Sequence, residues 1–298
     1  MSTWKVAGAS SDADLYFCRQ LATRIVDSNP DAKGKVEFEN MLEVDFIGYM
    51  ADMSLKKGGA YITYKYNYFV ERDGEFIGEL MNLVNIAMTE FGMEDAEIAN
   101  TMLFEKQAKE ETSALIKSRN HQACYLTFKA KEGIGKDDPI EYGEIILELF
   151  DDYAPKASEN FTLLCTGKND KSLTYSGCPV HRVVPGGWFQ LGDVVDGSGK
   201  NSVAAVSDEG KFEDESYSID FGSKFGGIVG YSTSDKHSNG SQFFITLGPC
   251  EWMNNTCVGF ARVVAGFKTL EAISKVPTTN ERPTMPVIVD TSGTYQAQ

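Results

Sequence analysis

Two short runs hold most of the residues that could do chemistry. His181 to Asp193 reads HRVVPGGWFQLGD, and Asn239 to Ile245 reads NGSQFFI. The first places a guanidinium, Arg182, ahead of an amide, Gln190; the second places Gln242 two residues before an aromatic ring, Phe244. A guanidinium stays charged near neutral pH and donates through a fixed fork of N–H groups. On residue type alone such an arginine reads as a surface or ion-pair residue, and Phe244 packs in a core whatever the function. The six cysteines (Cys18, Cys124, Cys165, Cys178, Cys250 and Cys257) include no C-x-x-C pair. The three histidines (His121, His181 and His237) match no zinc spacing. Free thiols in a reducing compartment, no metal and no cofactor are expected.

The bulk numbers bound the scaffold that must position these groups. The 298 residues suggest two ordinary domains. A hydrophobic content of 42% with 24% charged residues indicates packed globular structure. The net charge of −15 is divided almost evenly between the two halves. Such a chain is repelled by phosphate backbones, which argues against a nucleic-acid role and leaves either a plain solvated surface or a basic partner. No apolar run reaches the ~18 residues of a membrane span. The start MSTWKVAGASSDAD has no basic-then-apolar secretory pattern, so a cytoplasmic location is expected.

In the first half, Trp4 to Ala7 reads as a strand, and Asp12 or Asp14 can cap a helix carrying Leu15, Phe17, Cys18, Leu21, Ile25 and Val26 at helical spacing. Val36 and Phe38 suggest a second strand, Met41 to Met53 a second helix closed by Gly58-Gly59, and Tyr61 to Val70 a third strand. Asp73-Gly74 turns into Glu75-Phe76-Ile77, and a helix follows from Gly78 to Phe91. The order β-α-β-α-β-β-α describes a small thioredoxin-like α/β domain over 1–92. Its closing hairpin and helix resemble those of glutaredoxins, but the redox motif is missing. Ser10, Ser11, Asp12, Ala13 and Asp14 stand where a glutaredoxin needs an activated cysteine, and TYKYNYF has no proline. Cys18 lies a turn into the helix and is expected to pack as a small apolar residue. From Met93 to about Lys117 the pattern is helical and charged. That segment, with its linker (93–121), connects the domains; it lies on one of them or docks a partner.

The second half, 122–298, is strand-rich. Tyr125 to Ala130 and Tyr142 to Phe150 alternate as half-buried strands do, with further strands at Phe243 to Leu247 and Val258 to Val263. Helices fit Pro155 to Cys165 and Thr269 to Lys275. Many strands with only two helices imply a closed β-barrel capped at its ends.

Six blocks in order give this half its resemblance to cyclophilins, the prolyl-peptide isomerase fold. They are Glu148-Leu149-Phe150 with APKASENF and LLCTGK; HRVV to QLGD; KFEDES; SNGSQFFIT; Glu251-Trp252; and GFARVVAG. The X-Pro bond these enzymes turn has a rotation barrier near ~20 kcal/mol, set by amide resonance. No covalent step is required: the site must hold the proline ring and favour the twisted amide, whose nitrogen gains a lone pair that a fixed guanidinium can meet.

The resemblance implies that Arg182 is that arginine, that Gln190 holds the substrate backbone and that Phe244 floors the proline pocket. It further implies that Gln242 contacts the residue before the proline, and that Trp252 is the rim tryptophan used for cyclosporin-type ligands. Proline-containing protein segments are the implied partners. Several positions depart from the family pattern. Gly187 and Trp188 replace a Phe-Met pair, so one pocket wall loses its ring and Trp188 becomes a substrate-binding candidate in its place. Ser232 and Thr233 stand for Ala and Asn, Met253 for Leu, Cys257 for a pocket histidine, and Leu191 for a glycine. Weakened isomerase activity is the expectation, with a non-catalytic interaction module as the alternative. Gly187-Trp188, the ending VPTTNERP (Val276 to Pro283) and the glutaredoxin-like front resemble the divergent subgroup called peptidyl-prolyl isomerase-like six. That resemblance implies doubtful catalytic competence and a place in a large ciliary assembly such as the axoneme.

Overall fold

The computed structural model describes residues 2–28, 34–96, 101–130 and 140–295. The chain divides into two compact units, one ending at Arg119 and the other starting at Asn120. The first contains β1 (Thr3–Ala9), α1 (Ala13–Asp27), β2 (Lys35–Met41), α2 (Glu43–Lys57), α3 (Ala60–Thr63), β3 (Tyr68–Arg72), β4 (Glu75–Gly78), α4 (Leu80–Phe91) and α5 (Thr101–Ser118). Its sheet runs in the order β2-β1-β3-β4, with β1 parallel to β2 and antiparallel to β3. Asp73 and Gly74, both at positive φ, make the two-residue turn between β3 and β4.

Side chains alternate across this sheet, so it carries a core on each face. Val6 and Val70 pack with Leu15, Leu21 and Leu83 of α1 and α4, whereas Ala7 and Phe69 pack with Phe46 of α2. Asp12 is the N-cap of α1, its carboxylate accepting from the Asp14 N–H at 3.1 Å. The helix α5 packs on this same unit. Its Phe104 ring stacks on Phe17 at a centroid distance of 5.6 Å, and the Ser10 and Thr112 hydroxyls are 2.8 Å apart. Of the helix expected from Met93, residues 94–96 form a turn and 97–100 lie outside the described residues.

One expected strand is mostly something else. Between Tyr61 and Val70, only the stretch from Tyr68 is strand, and Ala60–Thr63 is a helical turn. Gly58 and Gly59, both at positive φ, turn the chain ahead of it. Tyr61 is then drawn inward by its packing: its ring meets Phe76 at 4.6 Å and its hydroxyl bonds the buried Glu71 carboxylate. Tertiary burial overrides the β-propensity of an aromatic run here.

The second unit contains β5 (Ala123–Ala130), β6 (Glu141–Leu149), α6 (Pro155–Thr166), β7 (Arg182–Val184), β8 (Trp188–Leu191), β9 (Ile228–Tyr231) and β10 (Phe243–Thr246). It continues with β11 (Gly259–Ala265), α7 (Phe267–Ser274), β12 (Thr278–Thr279), β13 (Arg282–Pro283) and β14 (Val287–Thr294). Eight strands form one curled antiparallel sheet in the order β14-β5-β6-β11-β9-β10-β8-β7. The segment just before β7 hydrogen-bonds to β14: the Gly177 N–H donates to Val289 O at 2.8 Å and the Val180 N–H to Val287 O at 2.8 Å. These bonds bring the two edges of the sheet together. Inside the curl, Phe128, Phe161, Phe189, Phe243 and Phe260 are fully buried, with α6 and α7 packed against the strands.

Candidate active site

Strand register assembles the candidate residues. Across β7, β8, β10 and β9, Arg182 lies opposite Gln190, Gln190 opposite Phe244, and Phe244 opposite Gly230. These four therefore form one row, each step about 5 Å, the spacing of paired strands. Their neighbours Val183, Phe189, Phe243 and Val229 point the other way, into the core. In the next row of the same face, Val184 is opposite Trp188 and Trp188 opposite Thr246.

The face is shaped by what glycine omits. A Cβ at Gly230 would lie 2.7 Å from the Phe244 ring and 2.9 Å from the Phe221 ring. Glycine in this strand is therefore what lets both rings lie against the sheet. Phe221, Phe244, Cys250 and Met253 form a buried apolar cluster, rimmed by half-buried Trp188, Ile228 and Cys257. The Trp188 and Trp252 rings meet edge-on at 5.5 Å, and Trp252 remains 65% exposed. Trp188 thus lies between this cluster and Trp252 at the rim. Burial pushes the Cys257 thiol up, opposed by a hydrogen bond from Thr256, so it stays a neutral, small apolar wall.

Arg182 stands at the polar end of the row. Its Nε donates to Glu281 Oε2 at 2.6 Å, and its guanidinium lies 5.1 Å from the centre of the Trp188 ring. Gln190 is turned to a different partner: its Nε2 donates to Gln242 Oε1 at 2.8 Å. Gln242 in turn donates to the carbonyls of Gly199 and Asn201 at 3.0 and 2.9 Å. Asp193 fixes the loop that bears those carbonyls, accepting from the backbone N–H groups of Gly199, Lys200 and Asn201 at 2.8, 3.1 and 3.1 Å. Burial works against the Asp193 carboxylate, but these backbone donors outweigh it and hold its pKa well below the ordinary value. Ser232 and Thr233 follow β9 on the same side as Gln242, whose carbonyl accepts from the Ser232 N–H at 3.0 Å. Their hydroxyls make no hydrogen bond among the described residues.

His181, beside Arg182 in sequence, points the opposite way. It is only 8% exposed, and burial lowers its pKa to about 4, so the ring is neutral near pH 7. The structure therefore gathers Arg182, Gln190, Gln242, Phe244, Trp188, Trp252, Met253 and Cys257 along one groove, with Ser232 and Thr233 at its edge. Sequence reasoning did not single out Phe221, Gly230 or Glu281. The lone glycine between Val229 and Tyr231 was a readable sign of close approach. Phe221 and Glu281 come from irregular segments that carry no periodic signal.

Two other features lie apart from the groove. Side-chain atoms of His121, Asp151 and Asp152 fall within 4.8 Å of one another, but His121 and Asp151 already bond each other at 2.8 Å. A cleft of about 520 Å³, lined by Cys178, Pro179, Asp196, Arg282 and Pro283 among others, includes none of the groove residues.

Comparison with known proteins agrees with this geometry. Residues 137–294 match the family model of the cyclophilin type peptidyl-prolyl cis-trans isomerase/CLD. The human "probable inactive peptidyl-prolyl cis-trans isomerase-like 6" is 28% identical over 289 residues, 94% of this chain and 87% of the relative. The mouse protein of the same name is 28% identical over 97% of this chain and 90% of its own. The peptidyl-prolyl cis-trans isomerase CYP22 of Arabidopsis thaliana is 38% identical over 161 residues, 52% of this chain and 78% of that protein. With the family model covering more than half of its length, and a row of arginine, glutamine and phenylalanine across the curled sheet, the chain belongs to the cyclophilin-type peptidyl-prolyl cis-trans isomerases.

Proposed function

We propose that this chain is a peptidyl-prolyl cis–trans isomerase of weakened activity, acting on X-Pro bonds in protein segments. The observation that carries this reading is the single row Arg182–Gln190–Phe244 on one face of the sheet. The Phe244 ring and the apolar cluster behind it offer a proline ring a dry contact. The two terminal nitrogens of Arg182 make no bond among the described residues and are available to the amide nitrogen as it pyramidalises. Gln190 and Gln242, locked to each other and to the loop carbonyls, offer the remaining polar groups to the peptide backbone. A partly dry site strengthens the guanidinium's hydrogen bond relative to water. The weakening follows from Gly187 and Trp188, which replace a deep wall by a half-buried indole, and from Thr233, which offers a hydroxyl where peptide alignment relies on an amide.

The first unit supports a thioredoxin-like reading through its strand order and directions. Cys18 is buried and desolvation raises its thiol well above the ordinary range, which supports reading this unit as a binding surface or spacer. The second unit reads as a closed barrel, its edges joined through β14. A second reading is a non-catalytic module, in which the groove binds a proline-containing segment and the first unit docks into a larger assembly. It is favoured by the "probable inactive" in the names of relatives that align along nearly the whole chain. A cytoplasmic or ciliary axonemal place belongs to this second reading.

The test is exchange NMR on a short X-Pro peptide. Wild type should accelerate cis–trans exchange, and Arg182→Ala should abolish the effect. Equal inactivity of the two proteins would remove the enzymatic reading and leave the binding one.

A further inference from the structure

Glu281 sits where glutamate is conformationally out of place. The strands β12 and β13 are joined by Asn280 and Glu281, at φ +49° and +64°, a two-residue turn with both central residues left-handed. Asn suits the first position and Gly the second; a glutamate there is unusual. The turn is pinned to β7, because the Val183 N–H donates to the Glu281 carbonyl at 2.6 Å. That bond sets the Glu281 side chain beside Arg182, whose Nε it accepts from at 2.6 Å. Gln190 faces Arg182 across the strand pair but spends its amide on Gln242. Among the described residues, the guanidinium is therefore oriented from one side by the Trp188 ring and from the other by the Glu281 carboxylate.

We propose that Glu281 is the positioning residue for Arg182, holding the guanidinium through Nε so that its terminal N–H groups face a bound peptide. This inference rests on the isomerase reading of the groove. A glutamate in this left-handed position carries a backbone cost, which its bond to Arg182 offsets. The pair is 44% exposed on both sides, so its contribution to stability is small and its effect falls on orientation.

Glu281→Gly relieves the backbone while removing the contact. In the full chain, the Arg182 side-chain Nε–H should give a shifted, slowly exchanging ¹⁵N resonance, assigned by its disappearance in Arg182→Lys. It should be lost in E281G and retained in E281Q, while the melting temperature of E281G is no lower than that of wild type. Peptide exchange at saturation should fall about tenfold in E281G and recover in E281Q, since misorientation of the guanidinium acts on the turnover step. Peptide affinity should stay within about twofold, since it is uniform binding that the change leaves alone. An unchanged Nε–H resonance in E281G would overturn the proposal, as would faster exchange in that variant, which would make Glu281 a block. A fall in melting temperature would make its role structural and overturn it as well. If wild type accelerates no exchange, the isomerase reading falls, and the resonance alone still decides whether Glu281 holds Arg182.

Discussion

The start of α1 and the β7–β8 hairpin differ in what they keep. At α1 the helix, its Asp12 cap and its packed face are intact, yet the only nearby thiol, Cys18, is fully buried in the core. At β7–β8 the polar groups stand in register on one face, bordered by Gly187, Trp188 and Glu281. A scaffold survives on core contacts alone, which neither ask for nor preserve a reactive group. A groove whose polar residues lie on regular strands has them placed by backbone pairing, whatever side chains border it.

The largest expected effect is a pH dependence of the second unit between pH 7 and pH 4, set by His181. Burial lowers the His181 pKa to about 4 in the folded state, below its ordinary value of 6.5. The unfolded chain therefore binds more protons between these values. The His181 contribution to stability should be fully present above about pH 6.5, fall as pH drops toward 4, and level off below it, by on the order of 3 kcal/mol. Urea unfolding at pH 7 and pH 5 in a Trp4→Phe background, followed by the fluorescence of Trp188 and Trp252, measures this. Replacing His181 with Gln should flatten the slope, and an unchanged slope would place the titration elsewhere.

A smaller effect is expected from Gly230→Ala. The added Cβ meets the Phe244 and Phe221 rings closer than van der Waals contact permits. Overpacking of this sort destabilises by about 1–3 kcal/mol and should weaken peptide binding at the same time. If denaturation and peptide titration both match wild type, the rings are not held against the sheet as described. The smallest effect concerns the thiols. In the folded protein Cys257, half-buried in the groove, should be alkylated before Cys18, whose modification should wait for unfolding. Rapid labelling of Cys18 would erase the difference between the two regions.

Much of this was legible in sequence. The alternation of β5 and β6 and the helices α1, α4, α6 and α7 encode structure locally, through period and turn chemistry. The roles of Arg182, Gln190 and Phe244 were legible through the cyclophilin resemblance, whereas their alignment in one row is set by the strand register. What escaped lies in segments without a period. Phe221 reaches Phe244 from a loop, and Glu281 reaches Arg182 from 99 residues away along the chain. The Tyr61 turn failed as a strand because its aromatic residues serve a core formed by distant partners. The helix α5 carries sparse apolar positions, and only its packing on Phe17 shows which unit it serves.

The pairing of β14 with β5 has a kinetic consequence. The Thr291 N–H bonds the Thr127 hydroxyl across 164 residues of chain, and Val289 lies opposite Phe128. On a ribosome the first unit can complete its sheet long before β14 has left the exit tunnel. The second unit cannot: β5 emerges early and must wait, with one edge unpaired, for the final strand to be made. Contacts of such sequence separation slow folding and prolong exposure of an open strand edge. The second unit is therefore the one whose maturation is set by synthesis of its last strand, and shortening the chain within β14 should trap it with an open edge while the first unit folds normally.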